Sequence, residues 1–484
     1  MQAFNPYLPS YEYVPDGEPR VFGDRVYVYG SHDAFNGKDF CINDYVCYSA
    51  PLDDLGDWKY EGIIYKASQD PKNAKGNQHM CAPDCVQGKD GRYYLYYQLH
   101  MMMCTSVAVA DNPAGPFEFY GYVQHSDGTP WGEKKGDTFA FDPGVLVDDD
   151  GKAYCYVGFT PVGMFKSIFK LRGCKVEHGV CLELDKDMKT VIGEEYPTIP
   201  GHDEAIGTSF EKHPMFEASS PRKINGKYYL TYSSLLSHEL CYAVSDHPNR
   251  DFIYGGTLVS IGDIGLDGRK EEDALNSLGN THGGMVEIKG QWYIFYHRQT
   301  NKQKCARQAC AEKFSIEADG SIKQVEITSC GLNDGPLVGR GTYEARIACN
   351  LTAKEGVMSY LAIREKDKKE LYPYFTQSGE DREDNPDQYI ANMKDEAKAG
   401  FKYFEMDGAK EISVVTRGEG GTLEITAAKK GGLKNARIIA SIEIDANANW
   451  HENKASLEEL NGEYALYFTY LGQGAIDFKE FTLI

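Results

Sequence analysis

The sequence predicts an all-β chain, a five-bladed β-propeller followed by a β-sandwich of jelly-roll type. Three observations carry the prediction. A hairpin signature recurs five times before residue 335: a turn glycine, one or two polar residues, then alternating aromatic and aliphatic residues. The composition, with 34 Tyr, 22 Phe and 50 Gly, favours strands punctuated by tight turns. After Gly335-Pro-Leu the signature stops, and Lys, Glu and Ala rise among short strand-like runs.

The five copies are Gly23-Asp-Arg-Val-Tyr-Val-Tyr, Gly91-Arg-Tyr-Tyr-Leu-Tyr-Tyr, Gly151-Lys-Ala-Tyr-Cys-Tyr, Gly226-Lys-Tyr-Tyr-Leu-Thr-Tyr and Gly290-Gln-Trp-Tyr-Ile-Phe-Tyr, with turn glycines 68, 60, 75 and 64 residues apart. Each reads as two strands joined at the glycine. Third strands follow in places, as at Val107-Ala-Val-Ala and Tyr242-Ala-Val-Ser, and Asp111-Asn-Pro and Asp246-His-Pro mark exit turns. No such sheet buries both faces alone. Stacked around an axis, five do, with the innermost strands lining a channel. The propeller is expected over residues 1–335 and the sandwich over 336–484. In the latter, Lys410-Glu-Ile-Ser-Val-Val, Ala436-Arg-Ile-Ile-Ala-Ser-Ile-Glu-Ile and Gly462-Glu-Tyr-Ala-Leu-Tyr-Phe-Thr-Tyr read as strands, and Ser378 to Asp387 as a solvated loop.

Charge narrows the partners. With 51 Lys and Arg against 72 Asp and Glu, the net charge is −21, which argues against a nucleic-acid ligand. No run approaches the ~18 apolar residues of a membrane span. The start, Met-Gln-Ala-Phe-Asn-Pro-Tyr, has no basic segment and no apolar run, so a cytoplasmic location is the expectation. Thirteen cysteines without a CxxC pair speak against a disulfide framework or a zinc ribbon.

Acidic residues just upstream of a repeat hairpin can converge on the channel from distant parts of the chain. Blade one offers Asp16 and Glu18 in Val14-Pro-Asp-Gly-Glu-Pro, blade three Asp142 in Phe141-Asp-Pro-Gly-Val, and blade four Glu217 in Met215-Phe-Glu-Ala-Ser-Ser. Each sits among apolar neighbours, which is costly unless the acid is hydrogen-bonded or functional. Two carboxyl groups flanking a sugar are the minimum apparatus for glycoside hydrolysis, and a third can keep the acid protonated by like-charge repulsion. Turn capping or binding of a central cation is the competing reading.

Asn5-Pro-Tyr-Leu-Pro, Phe141-Asp142-Pro-Gly-Val, Phe216-Glu217-Ala-Ser and His282-Gly-Gly, together with the five hairpins, resemble glycoside hydrolase family 43, the α-L-arabinofuranosidase and β-xylosidase propellers. The resemblance covers residues 5 to about 335. It implies an inverting, exo-acting enzyme that releases terminal α-L-arabinofuranose, or β-D-xylose, from arabinoxylan- or arabinan-derived oligosaccharides. A non-catalytic carbohydrate-binding propeller is the alternative of another class. The resemblance also implies Glu217 as general acid and Asp142 as the residue that tunes its pKa. For the base, the family usually shows Asp-Pro-Ser where this chain has Asp16-Gly-Glu18-Pro. Counting back from Gly23 chooses Asp16, and matching the proline chooses Glu18. Asp16 is preferred, because two residues move a side chain about one pleat, roughly 7 Å.

The same resemblance makes His282 a channel residue that often holds a calcium ion, Arg298 an arginine that reaches the sugar or pairs with one of the acids, and Ala82-Pro-Asp84 a segment that shapes the pocket. The C-terminal part resembles family 6 carbohydrate-binding modules, which stack exposed aromatics on sugars. Tyr389 and Trp450 are the natural pair for that, unless they belong to the core.

Overall fold

The computed structural model describes residues 1–359, 370–382, 387–431 and 436–484. The predicted solvated loop lies outside the described residues over 383–386. Five small antiparallel sheets follow one another along the chain, four with four strands and the fifth with three. All five turn glycines stand at the predicted hairpins with positive φ, from 64° at Gly23 to 84° at Gly91 and Gly290, the backbone that such turns require. Each joins an inner strand to its neighbour. The inner strands are Glu18–Phe22, Met80–Gln87, Gly144–Val147, Met215–Ile224 and Met285–Ile288.

Alternation along these strands sends apolar side chains to both faces, and each face packs on the next sheet. Five separate cores result, one per blade junction. Tyr29, Tyr45, Leu95 and Tyr97 join blades one and two, and Tyr94, Tyr96, Val145 and Val180 join two and three. Tyr154, Tyr156, Leu230 and Tyr232 join three and four, and Leu240, Tyr242, Ile294 and Tyr296 join four and five. Val26, Val28, Val286 and Phe295 close the ring between five and one. At that seam Gly17 bridges Gly283 in parallel. A Cβ on Gly283 would come within 1.9 Å of the Phe295 carbonyl oxygen, so only glycine fits there. The missing fourth strand of blade five is partly replaced by the N-terminal segment: the Tyr7 N–H donates to Ala309 O at 3.2 Å, and the Asn5 side chain pairs with the Ala311 backbone.

Two six-stranded sheets make the sandwich. The long strands Lys398–Asp407, Asn461–Leu471 and Gly421–Ala428 lie in one, and Gln388–Lys394, Ala475–Leu483 and Glu411–Gly418 in the other. Phe401, Phe404, Phe468, Phe478 and Phe481 interlock between them. The sandwich is bonded to the propeller at several points. Lys402 Nζ sits 3.2 Å from Asp263 and 2.9 Å from Glu326, the Tyr13 hydroxyl donates to Gln377 at 2.7 Å, and the Phe35 N–H donates to Asp381 Oδ1 at 2.6 Å. All thirteen cysteines are free thiols, twelve of them buried. No helix among the described residues is long and apolar enough to cross a membrane.

Candidate active site

The heads of the inner strands converge on the channel, and four of them do so through backbone that L-residues rarely adopt. Asp16 has φ 58°, Ala82 27°, Asp142 48° and Ala218 74°. Glu217 stands between two register shifts of its strand, and another shift separates Cys81 from Asp84. Such kinks turn a side chain out of the pleat, and they cluster where a fold must aim particular groups.

Asp16, Asp142 and Glu217 are thereby close enough to feel one another's charge. Asp16 and Asp142 are only 5% and 4% exposed, so both carboxyls are almost entirely out of solvent. Their protonation states diverge. Burial alone would raise Asp16, but Arg307, with Nη1 2.8 Å from Oδ1, overrides it, assisted by His297 at 3.3 Å, and holds the carboxyl far below the ordinary range. Glu217 has no such partner: burial and the Asp16 charge push it up to about 8. Burial, Glu217 and Asp16 likewise keep Asp142 well above a normal carboxyl. At neutral pH one carboxylate is ionised and a carboxylic acid faces it, the asymmetry that acid–base chemistry needs.

Glu18 is not part of this set. One pleat deeper than Asp16, its Oε1 accepts from Arg222 Nη2 at 2.5 Å and from Ser220 Oγ at 2.9 Å, with Arg20 at 3.7 Å. Arg20 in turn holds Asp84 through Nε at 3.0 Å and Nη2 at 2.6 Å. Glu18, Asp84, Arg20 and Arg222 form a neutral charge cluster that ties blades one to four together below the site. The structure thus places Glu18 apart from the three channel carboxyls, with Oε1 engaged by Arg222 and Ser220. Ala82 is buried at the head of blade two, and its N–H donates to Ser31 Oγ at 2.8 Å, leaving it as a wall residue.

The expectation for Arg298 is corrected. It donates to the carbonyls of Ala348 at 2.8 Å and Arg346 at 2.7 Å and stacks on Phe375 at 3.7 Å, so it binds the sandwich rather than a sugar. Strand parity explains the difference. Gln299 pairs with Arg307 and Arg298 with Gln308, so His297, Gln299 and Arg307 share the channel face while Arg298 and Gln308 take the other. The arginine at the site is Arg307. Its Nε and Nη2 grip Asp33 at 2.8 and 3.0 Å, and its guanidinium lies 4.8 Å from the Phe40 ring centre.

His282 stands at the head of blade five with Nδ1 3.6 Å from Asp142 Oδ2, and burial brings it down to about 4, so its imidazole is neutral with a lone pair to offer. The nearby donor set is poor in free oxygens for an ion that takes six to eight of them. A calcium ion fits only with water completing its shell. Phe141, Phe159 and Phe216, with ring centres 5.0 Å apart in sequence of contact, form an aromatic wall beside Asp142 and Glu217. On the sandwich, Tyr389 and Trp450 do meet, but edge to face at 72°, with Arg417 over both rings. They present no flat shared platform.

A closed propeller whose channel holds an ionised carboxylate near a protonated one is suited to acid–base hydrolysis. The model of glycosyl hydrolases family 43 matches residues 13–322, and the chain belongs to that family. It is a glycoside hydrolase. A curated xylosidase/arabinosidase of Thermoclostridium stercorarium is 48% identical over all of this chain and 99% of that protein. Two solved structures share the fold. A family 43 arabinoxylan arabinofuranohydrolase from Bacillus subtilis, in complex with cellotetraose, superposes with a TM-score of 0.52 at 19% identity, covering 98% of this chain and 96% of that one. A family 43 β-xylosidase/α-arabinofuranosidase from a compost microbial metagenome, with xylotriose in a calcium-free form, gives 0.51 at 24% identity over 66% of this chain and 96% of that one.

Proposed function

We propose that this enzyme is an inverting exo-glycosidase that removes terminal α-L-arabinofuranosyl and β-D-xylosyl units from arabinoxylan-derived oligosaccharides. The observation that carries the reading is the opposite protonation of Asp16 and Glu217 in one channel. Protonated Glu217 gives its proton to the leaving oxygen. Ionised Asp16, oriented by Arg307, takes a proton from the water that attacks the anomeric carbon from the other side. Asp142 is kept protonated by burial and by Glu217 and Asp16, so it carries no standing charge at neutral pH and would hold the Glu217 proton more tightly only once it ionised.

Exo action is the part of the reading that rests on the family resemblance, and the near-complete burial of Asp16 and Asp142 accords with it. The aromatic wall of Phe141, Phe159 and Phe216 suits the apolar face of a pentose. Dual specificity draws support from the full-length xylosidase/arabinosidase relative. The two sugars present similar apolar faces and differ mainly in ring shape. A channel calcium, with His282 as its protein ligand and water around it, would add positive potential beside the carboxyls, and no proton transfer passes through it.

The test is hydrolysis of 4-nitrophenyl α-L-arabinofuranoside and β-D-xylopyranoside, with the anomer released from xylobiose followed by proton NMR. Cleavage of both with initial α-xylose supports the reading. Initial β-xylose refutes inversion, and cleavage of only one glycoside refutes dual specificity.

A further inference from the structure

On the outer half of blade four, three side chains of different chemistry aim donor atoms at one point. His213 comes from the loop entering the blade, and Glu239 and Cys241 come from one face of its third strand, Glu239–Ser245. His213 Nδ1 is 2.7 Å from Glu239 Oε1, Cys241 Sγ is 3.3 Å from the same oxygen, and Sγ and Nδ1 are 4.0 Å apart. Zinc bonds of about 2.0–2.3 Å in a tetrahedron place neighbouring donors roughly 3.3–3.7 Å apart. The triangle already has nearly that size.

We propose that His213, Glu239 and Cys241 bind a divalent zinc-class transition metal, with the fourth position taken by water. The donor set argues for this class of ion. Imidazole and thiolate select zinc-like metals over calcium or magnesium. One thiolate, one carboxylate and a neutral imidazole cancel the charge of a divalent ion, so the occupied site is neutral inside a blade whose Glu239 and Cys241 are buried.

The ligands are held in place from behind. Thr257 Oγ1 donates to Glu239 Oε2 at 3.0 Å and Ser234 Oγ to Oε1 at 2.6 Å. The His213 ring is stacked on Tyr254, 4.7 Å away and 5° from parallel, and its carbonyl accepts from the Tyr232 hydroxyl at 2.7 Å. Such outer contacts fix ligand orientation in metal sites. The His213 side chain is 25% exposed, giving the ion a way in and water its position.

Binding balances simply. The metal–sulfur bond forms as the Cys241 thiol proton leaves to solvent. His213 binds through Nδ1 with its proton on Nε2, and Glu239 gives a lone pair from Oε1. Burial and Glu239 push the thiol up, so without metal the cluster keeps that proton.

Chelator-stripped protein is loaded with Zn2+, desalted, and its metal counted by mass spectrometry. Co2+ serves in parallel, because a thiolate–cobalt charge-transfer band in the ultraviolet reports sulfur ligation. The expected result is one zinc per chain, a raised Tm, and a cobalt band that Cys241→Ser abolishes. His213→Gln, at the partly exposed edge, should weaken zinc by about tenfold or more. Both variants should keep aryl glycoside hydrolysis within about twofold of the parent, which shows that they fold. If Cys241→Ser does not fold, His213→Gln alone decides. The proposal falls if the parent retains no zinc, or if the folded variants retain as much.

Discussion

Arg307 donates to Asp16 Oδ1 through one nitrogen at 2.8 Å while its other edge is gripped by Asp33, so the guanidinium cannot leave the carboxylate without breaking a second ion pair. Residues 291 positions apart are held together at the head of blade one. Charge, burial and geometry at this point decide how the enzyme responds to pH.

The rate should therefore survive acid and fail in alkali. Activity needs Asp16 ionised and Glu217 protonated, so kcat/KM should fall as pH rises through about 8 and stay high well below the usual carboxylate range. Arg307→Gln removes the cation that lowers both groups. A pH profile of the variant should show both limbs moved upward, the acid limb by about one unit or more.

Asp16→Asn and Glu18→Gln should fail in different ways. The first leaves a folded protein with kcat down roughly 10²–10⁴-fold, the usual worth of a general base. The second leaves Arg222 without its buried partner and should cost about 3–5 kcal/mol of stability, with activity persisting in whatever fraction stays folded. Thermal unfolding beside hydrolysis of an aryl arabinofuranoside separates the two. A stable, inactive Glu18→Gln would assign the base to Glu18.

Glu217→Gln should cost little on substrates with acidic leaving groups and more than about 10²-fold on natural linkages, which need the proton. It should also stabilise the fold. A carboxyl raised in the native state is neutral there while ionised in the unfolded chain, so between an ordinary pKa and about 8 the native state loses stability as pH rises. Removing the titration should gain roughly 1–4 kcal/mol at pH 7. Denaturant melts at pH 5 and 8 should show a gain that grows with pH.

Arg298→Met should leave KM near its parent value, because the residue faces the sandwich. Its loss strands the Ala348 and Arg346 carbonyls in a buried seam, at about 2–4 kcal/mol. A KM raised tenfold with unchanged stability would return Arg298 to the sugar.

Chelation followed by calcium add-back tests the channel cation. Calcium should restore activity to the parent protein and have no effect on His282→Ala.

What the sequence could reveal followed from how local each signal is. A turn glycine before alternating aromatics is written within seven residues, so all five blades were legible, as were the strands around Val414, Ile442 and Leu466. The acids at the strand heads were legible for the same reason: each precedes a hairpin whose register is fixed. Arg298 and Arg307 look alike in sequence, and only the pairing register says which faces inward. The grip of Asp33 on Arg307 spans 274 residues and leaves no local trace. Tyr389, Trp450 and the Arg417 that lies over both rings come from three different strands, and alternation says nothing of the angle between the rings.

The loop that presents Asp33 also carries Phe35, whose N–H is held by Asp381 of the sandwich, while Asn301 of blade five donates to the Phe375 carbonyl at 2.7 Å. Asp16 is thus linked through Arg307 and Asp33 to a loop that the other half of the molecule clasps. A sandwich joined this way is not an interchangeable attachment. Exchanging it for one from another enzyme would loosen the scaffold that keeps Arg307 on Asp16, so the two halves are expected to be inherited together and to change together.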